Sequence, residues 1–233
     1  MSHRWGTAPD FVGPRHELRE RLLLRLFLEV SPGPRVLNAG AGQGTFSQRL
    51  DRLGFDVVSA DVSGEAVEVL RARVRGPVVE AAVEALPFGD ASFDAAVLGE
   101  VLEHVEDDAA ALRELARVLR PGAPVAISVP RNPAWFGPSD LWAGHVRRYT
   151  RAALEEAVAA GGLRLERLVA WGFPVSALYH RLAYERHVAR HGAAAPTSRQ
   201  RPALALLGAA LQVDRLFLGR ERGALGYLAL ARR

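Results

Sequence analysis

The chain has 233 residues, no Cys, 49% hydrophobic and 24% charged residues, and a formal net charge of only +4. A chain this long buries roughly 70–75% of its unfolded surface as one α/β domain and needs no disulfides, which suits a cytoplasmic protein. Its 30 basic residues are all Arg, interspersed with 26 acids, which argues against a general nucleic-acid binder. Residues 1–6 lack the apolar core of a signal peptide. The longest apolar run, 203–211, is about half of the ~20 residues needed to span a bilayer. Residues 180–202 stand apart, with Arg181, Arg186, Arg190, Arg199, Arg201 and three His against Glu185; this reads as a solvated face or a surface for an anion.

Leu18, Leu22, Leu26 and Val30 stand four apart, which predicts an amphipathic helix over 15–30, ended by Ser31-Pro32-Gly33-Pro34. From residue 35 strand and helix alternate. Strands are expected at 35–39, 56–60, 77–81, 93–98, 123–129 and 163–170, and helices at 43–52, 64–73, 108–119 and 151–160. Such alternation implies a parallel sheet covered on both faces. Arg120-Pro121-Gly122 and Gly161-Gly162 end the helices before them. A last strand is expected at 224–231. Before it lies an insertion, 173–223, with one helix near 175–190 faced by Val175, Leu178 and Leu182, and another near 203–218. The polar stretch 192–199 separates the two helices. The expected fold is α/β, a mostly parallel seven-stranded sheet with helices on both faces and a helical insertion before the last strand. One domain is expected, divided into a helical lead (1–34), a core (35–172), the insertion (173–223) and the last strand (224–233).

Between the first strand and the next helix, Gly40, Gly42 and Gly44 stand at alternate positions. They let the backbone turn sharply and approach a ligand without Cβ clashes. Asp61 follows Gly40 by 21 residues, at the tip of the second strand. An acid there suits a pair of ribose hydroxyls, so a nucleoside-type ligand is expected. A dinucleotide site reads G-x-G-x-x-G; the different spacing here argues against a nicotinamide-dependent oxidoreductase.

Gly40-x-Gly42-x-Gly44 resembles the first motif of class I S-adenosylmethionine-dependent methyltransferases. Ala85-Leu86-Pro87-Phe88-Gly89-Asp90-Ala91-Ser92-Phe93-Asp94 resembles that family's adenine loop and fourth strand. The stretch 112–122, ending Arg120-Pro121-Gly122, resembles its helix-to-fifth-strand turn. The resemblance covers residues 35–172 and implies a Rossmann-like fold with S-adenosylmethionine as cofactor. It implies cofactor contacts from Asn38, Gly40, Gly42, Gly44, Phe46, Asp61, Val62, Val83, Glu84, Gly99 and Glu100. In such proteins the leading helix often closes over the cofactor; packing on the sheet is the alternative. Two positions depart from the pattern. Asn38 stands where an acid is common, so it brings no charge to the methionyl ammonium, and Ala82 stands where an Asp commonly accepts from the adenine amino group.

Methyl transfer needs alignment of nucleophile, methyl and sulfur, a route for the acceptor's proton, and exclusion of water. Glu100, Glu103 and His104 fall at i, i+3 and i+4, sharing one face if the turn after the fourth strand is helical. His145 comes to the same sheet edge after the fifth strand. This E-x-x-E-H with a distant His resembles the divalent-metal site of small-RNA terminal-ribose methyltransferases, and the matching segment of ubiquinone-pathway O-methyltransferases. The resemblance implies Glu100, Glu103, His104 and His145 as ligands of Mg²⁺, Mn²⁺ or Zn²⁺. Such an ion would clamp a vicinal diol or catechol and acidify the reacting hydroxyl. Without a metal, His104 or His145 is the general-base candidate.

The segment 144–150, followed by Trp171-Gly172-Phe173-Pro174, resembles a bacterial methyltransferase subgroup. Arg147, Arg148 and Tyr149 are candidates to hold an anionic acceptor by forked hydrogen bonds. The alternative is an Arg paired with a helix-start acid and a packed Tyr149. Trp135, Phe136, Trp142 and Trp171 are candidates for an apolar acceptor pocket or for core. The expected function is methyl transfer to a small molecule, favouring oxygen. A catalytically silent cofactor-binding subunit is the alternative, supported by Asn38 and Ala82, with the oxidoreductase third. The insertion is expected to act as a substrate lid or a homo-oligomer surface.

Overall fold

The computed structural model describes residues 13–192 and 201–233. The leader reading at residues 1–6, most of the polar break at 192–199, and Arg199 lie outside the described residues. Seven strands form one sheet: β1 (Arg35–Ala39), β2 (Asp56–Asp61), β3 (Val78–Glu80), β4 (Ala95–Gly99), β5 (Pro124–Pro130), β6 (Arg164–Trp171) and β7 (Gly226–Arg232). Their order is β3-β2-β1-β4-β5-β7-β6, with β7 antiparallel to both neighbours and the other pairs parallel. This is the expected mostly parallel seven-stranded sheet. Strand order reverses between β1 and β4, which opens a crevice at their carboxyl ends, the usual ligand position in such sheets.

The sheet is buried on both faces, which is why β4 reads as an apolar run and the buried positions of β1 and β5 are apolar but for Asn38 and Ser128. Along β1, Leu37 and Ala39 belong to one core cluster and Val36 to the other. On the Leu37 side lie α4 (Asp108–Val118) and α6 (Arg151–Ala160), bringing Leu112, Leu115 and Leu154. On the Val36 side lie α1 (Pro14–Leu28) and α2 (Thr45–Arg52), bringing Leu22, Leu26, Phe27 and Leu50. Side chains of Ser63, Asp107 and Thr150 cap α3 (Gly64–Arg73), α4 and α6 by accepting from Ala66, Ala110 and Ala153 N–H groups. No helix among the described residues is long and apolar enough to cross a membrane.

Between β5 and α6 the chain adds a short helix, α5 (Pro138–Ala143), not expected from sequence. The insertion contains α7 (Val175–Tyr179), a π turn over His180–Tyr184, α8 (Glu185–His191), α9 (Arg201–Ala210) and a 3-10 stretch over Leu211–Phe217. Of its expected apolar face, Val175 packs against the core but the two Leu turn outward. Leu178 and Leu182 are 60% and 52% exposed, while Ser176, Ala177, His180 and Val188 are buried. His180 is turned inward because the end of α7 and the π turn wall a cavity, with Tyr179 and Tyr184 beside it.

Candidate functional site

The cavity, of about 560 Å³, opens at the crevice between β1 and β4. Its floor is the glycine loop. Gly40 and Gly44 have φ of +68° and +86°, and a Cβ on Gly40 would lie 2.3 Å from Val101 Cγ2, so only glycine fits. Asp61 fastens the loop, accepting from Gly42 N–H at 2.7 Å and Ser63 N–H at 3.0 Å. A carboxylate has about four acceptor sites, so it retains room for two hydroxyls. Asn38 is buried, its amide N–H₂ donating to Ser47 Oγ at 2.8 Å, with Ser59 Oγ a further 2.8 Å away. That leaves its amide oxygen as the acceptor it can offer.

Of the eleven residues expected at the cofactor, Asn38, Gly40, Gly42, Phe46, Asp61, Val62, Val83, Glu84, Gly99 and Glu100 all line this cavity. Gly44 does not; it sits beneath, starting α2, where a Cβ would meet Leu70 at 2.8 Å. Helix α1 adds a wall, the placement that the resemblance offered for the leading helix: Arg15, His16, Arg19 and Glu20 face the cavity. Which of their side chains reach the cavity was not written in their spacing. Burial opposes the charge of Glu20, but donors from His16, Thr45 and Arg49 bring its pKa down to about 2.

Glu100 has φ of +57°, a left-handed conformation unusual outside glycine. This turn at the end of β4 lets one oxygen accept from Ser128 Oγ at 2.9 Å while the other pairs with Arg19 at 3.2 Å. Burial opposes its ionisation, yet Arg19, His145 and Ser128 hold its pKa below the ordinary value. Glu103, three residues on, is fully buried, and neither carboxylate oxygen has a hydrogen-bond partner. Burial and the neighbouring Glu100 push its pKa well up.

Beside Glu103 stand His104 and His145, their rings edge to face with centroids 4.7 Å apart. His145 Nδ1 lies 2.8 Å from Asp140 Oδ1 and therefore donates its proton there, leaving the lone pair on Nε2, 3.9 Å from Glu103 Oε1. His104 Nδ1 approaches the Gly144 carbonyl at 3.4 Å, which likewise assigns the lone pair to Nε2. Burial and His145 lower the His104 pKa to about 4, so its imidazole is neutral. Burial opposes the charge of Asp140, but His145, Arg148 and Gly137 N–H hold it ionised, with a pKa of about 2. One ligand atom from each of Glu103, His104 and His145 lies within 4.8 Å of the other two.

Three ligands each about 2.1 Å from one ion lie roughly 3.4–3.6 Å apart, so this set would close by up to about 1 Å to hold one. An orphaned buried carboxylate, two imidazoles beside it, and Asp140 orienting one imidazole from behind fit a divalent cation. Glu100 is outside the set, a correction to the four-ligand expectation. Arg19 and Ser128 occupy its oxygens.

The Arg147–Tyr149 expectation is also corrected. Arg147 pairs with Asp108 at 3.0 Å and the Glu106 carbonyl, and the Tyr149 hydroxyl donates within the core to Asp108 at 2.7 Å. Neither lines the cavity. Arg148 does, buried, with Nε donating to both Asp140 oxygens at 2.8 and 2.9 Å. Among the aromatics, Trp142 and Trp171 line the cavity. Trp135 packs against the core beneath Arg181, and Phe136 lies at the surface. The insertion contributes Tyr179, His180 and Tyr184 to the cavity wall, none of which sequence reasoning singled out.

A family profile described as "Methyltransferase domain" matches residues 37–127, from the second residue of β1 into β5. Residues 37–127 are thus similar to a methyltransferase domain. The chain is 33% identical over 156 residues to a ubiquinone biosynthesis O-methyltransferase of Xanthomonas campestris pv. campestris, covering 64% of this chain and 65% of that protein. It is 38% identical over 130 residues to Methyltransferase GfsG of Streptomyces halstedii, covering 52% and 47%. The chain thus spans just under two thirds of the length of the first of these relatives. Among solved structures, an S-adenosylmethionine-dependent methyltransferase from Mesorhizobium loti superposes with a TM-score of 0.61 at 22% identity, covering 92% of this chain and 97% of that one. The cyclase SpnF superposes with a TM-score of 0.64 at 20% identity, covering 100% and 87%. Class I methyltransferase architecture is therefore this chain's fold, and the shared fold by itself does not set the reaction.

Proposed function

We propose that this protein transfers a methyl group from S-adenosylmethionine to an oxygen of a small molecule. One observation carries the reading: the glycine loop, Asp61 and Glu100 share a single cavity with the His104–His145 pair. In this reading Asp61 accepts from the ribose hydroxyls and the exposed Val62 and buried Val83 flank the adenine. Arg19, whose Nε is buried without a hydrogen-bond partner, takes the methionyl carboxylate. Asn38 and backbone carbonyls receive the ammonium. With both side-chain departures neutral, cofactor affinity rests on the loop and α1.

The acceptor hydroxyl comes to the imidazole pair. Without a bound metal, His145, oriented by Asp140, presents its Nε2 lone pair to that hydroxyl and takes its proton as the hydroxyl attacks the methyl group. The low pKa of His104 leaves it neutral beside His145. Glu103, His104 and His145 are the residues that would hold a divalent ion, which when bound acidifies a coordinated hydroxyl. The oxygen preference rests on this cluster and on the O-methyltransferase relatives.

Calorimetric titration with S-adenosylmethionine and S-adenosylhomocysteine, with and without Mg²⁺, Mn²⁺ or Zn²⁺, tests the cofactor. S-Adenosylhomocysteine release on a panel of catechols and other alcohols tests the reaction. Micromolar cofactor binding with release is expected. Binding without release from any acceptor favours the silent-subunit reading, for which Asn38 and Ala82 are the support. No binding of either ligand overturns the proposal.

A further inference from the structure

Where α1, α5 and the insertion wall the cavity, two guanidiniums bracket one imidazole. Arg15 Nη1 lies 2.7 Å from His180 Nδ1, and Arg148 Nη2 lies 3.2 Å from His180 Nε2. A guanidinium carries only donors, and a neutral imidazole has one acceptor nitrogen. Burial, with Arg15 and Arg148 nearby, lowers the His180 pKa and keeps it neutral. Whichever tautomer is present, one of the two guanidiniums points an N–H at another N–H. Glu185 Oε1, 3.0 Å from Nε2, favours the proton on Nε2. Nδ1 then accepts from Arg15, and the Nη2 arm of Arg148 is the unmet donor.

The surrounding acids do not fill this need. Asp140 already receives Arg148 Nε, His145 and Gly137 N–H. Glu185 receives the Ser139 hydroxyl and N–H. Arg15 makes no ion pair with a carboxylate among the described residues, its charge reaching Glu100 only from a distance, and it lies over the face of Tyr184, 4.4 Å away. A positively charged, donor-rich wall beside Tyr184 and Trp171 suits an oxyanion carried on an apolar or aromatic body.

We propose that Arg15 and Arg148 bind an anionic group of the methyl acceptor, a carboxylate or a phosphate. This rests on the methyltransferase reading above and names its acceptor class. The test titrates protein saturated with S-adenosylhomocysteine with benzoate, phenyl phosphate and the neutral benzamide. At least one anion is expected to bind ten-fold or more tightly than benzamide, and the tighter of the two identifies carboxylate or phosphate. Arg15→Gln is expected to lose that preference ten-fold or more, and Arg15→Lys to restore part of it.

Benzoate and phenyl phosphate no tighter than benzamide, or not bound at all, overturn the proposal even if the variants fail to fold. So does a folded Arg15→Gln protein with unchanged anion affinity. S-Adenosylhomocysteine affinity, measured on the same samples, separates the two readings. Its absence defeats the methyltransferase proposal, whereas its presence without anion discrimination defeats only this one.

Discussion

Glu103 and Glu20 are both buried carboxylates, and their surroundings send them in opposite directions. Glu103 has no hydrogen-bond partner, so the metal-free fold carries an uncompensated polar group. Glu103→Gln is expected to raise Tm of metal-free protein by roughly 2–8 °C, about 1–2 kcal/mol, while weakening metal binding. A drop in Tm would mean the carboxylate supports the fold rather than a ligand. Glu20 is held at about 2 against an ordinary 4.5. A depressed carboxylate stabilises the fold fully above its unfolded pKa and loses that contribution as pH falls toward the folded value. The loss therefore runs from pH 4.5 down to about 2, to a limit of about 3 kcal/mol. Urea midpoints should fall over this range in the parent protein and fall less in Glu20→Gln; parallel curves would sink the assignment.

At the scale of elements, a buried acid joins the two parts of the insertion. Asp214, in the 3-10 stretch, accepts from the N–H groups of Val175 at 2.7 Å and Ser176 at 2.9 Å, serving the otherwise unpaired start of α7. Asp214→Ala should cost about 2 kcal/mol, a Tm decrease of roughly 4–8 °C, and should speed limited proteolysis within 173–192. Unchanged proteolysis would show that other contacts seat α7. The strands and main helices were legible because β-periodicity, breakers and caps act over a few residues. The inward face of α7 and the π turn was not, since the Leu178 and Leu182 spacing favours a core-facing stripe, and only the cavity explains why His180 turns inward. Helix α5 escaped notice because six residues hold too little periodicity.

For the whole molecule, the cavity couples ligand binding to the docking of separate pieces. Lead helix, glycine loop, β4 turn, α5 and insertion all contribute to its wall. A ligand that binds only the folded state at a hundred times its Kd adds about 2.7 kcal/mol. Saturating S-adenosylhomocysteine should therefore raise Tm by roughly 5–10 °C in scanning fluorimetry. No rise at such saturation would indicate that the assembled cavity is not its site.

By itself the sequence determined the alternation of strands and helices, the left-handed glycine loop and the acid about twenty residues beyond it. Each of these is written in near neighbours, through turn chemistry and side-chain periodicity. It also brought Glu103, His104 and His145 to one sheet edge through their places after β4 and β5. Tertiary structure decided which of the candidates meet. Glu100 left the histidine cluster because Arg19, from a helix near the start of the described chain, reached it first. Arg147 and Tyr149 turned to Asp108, while Arg148 stayed on the cavity. Arg15 met His180 across 165 positions of sequence. Contacts at that separation depend on how the layers stack, and no local pattern encodes them.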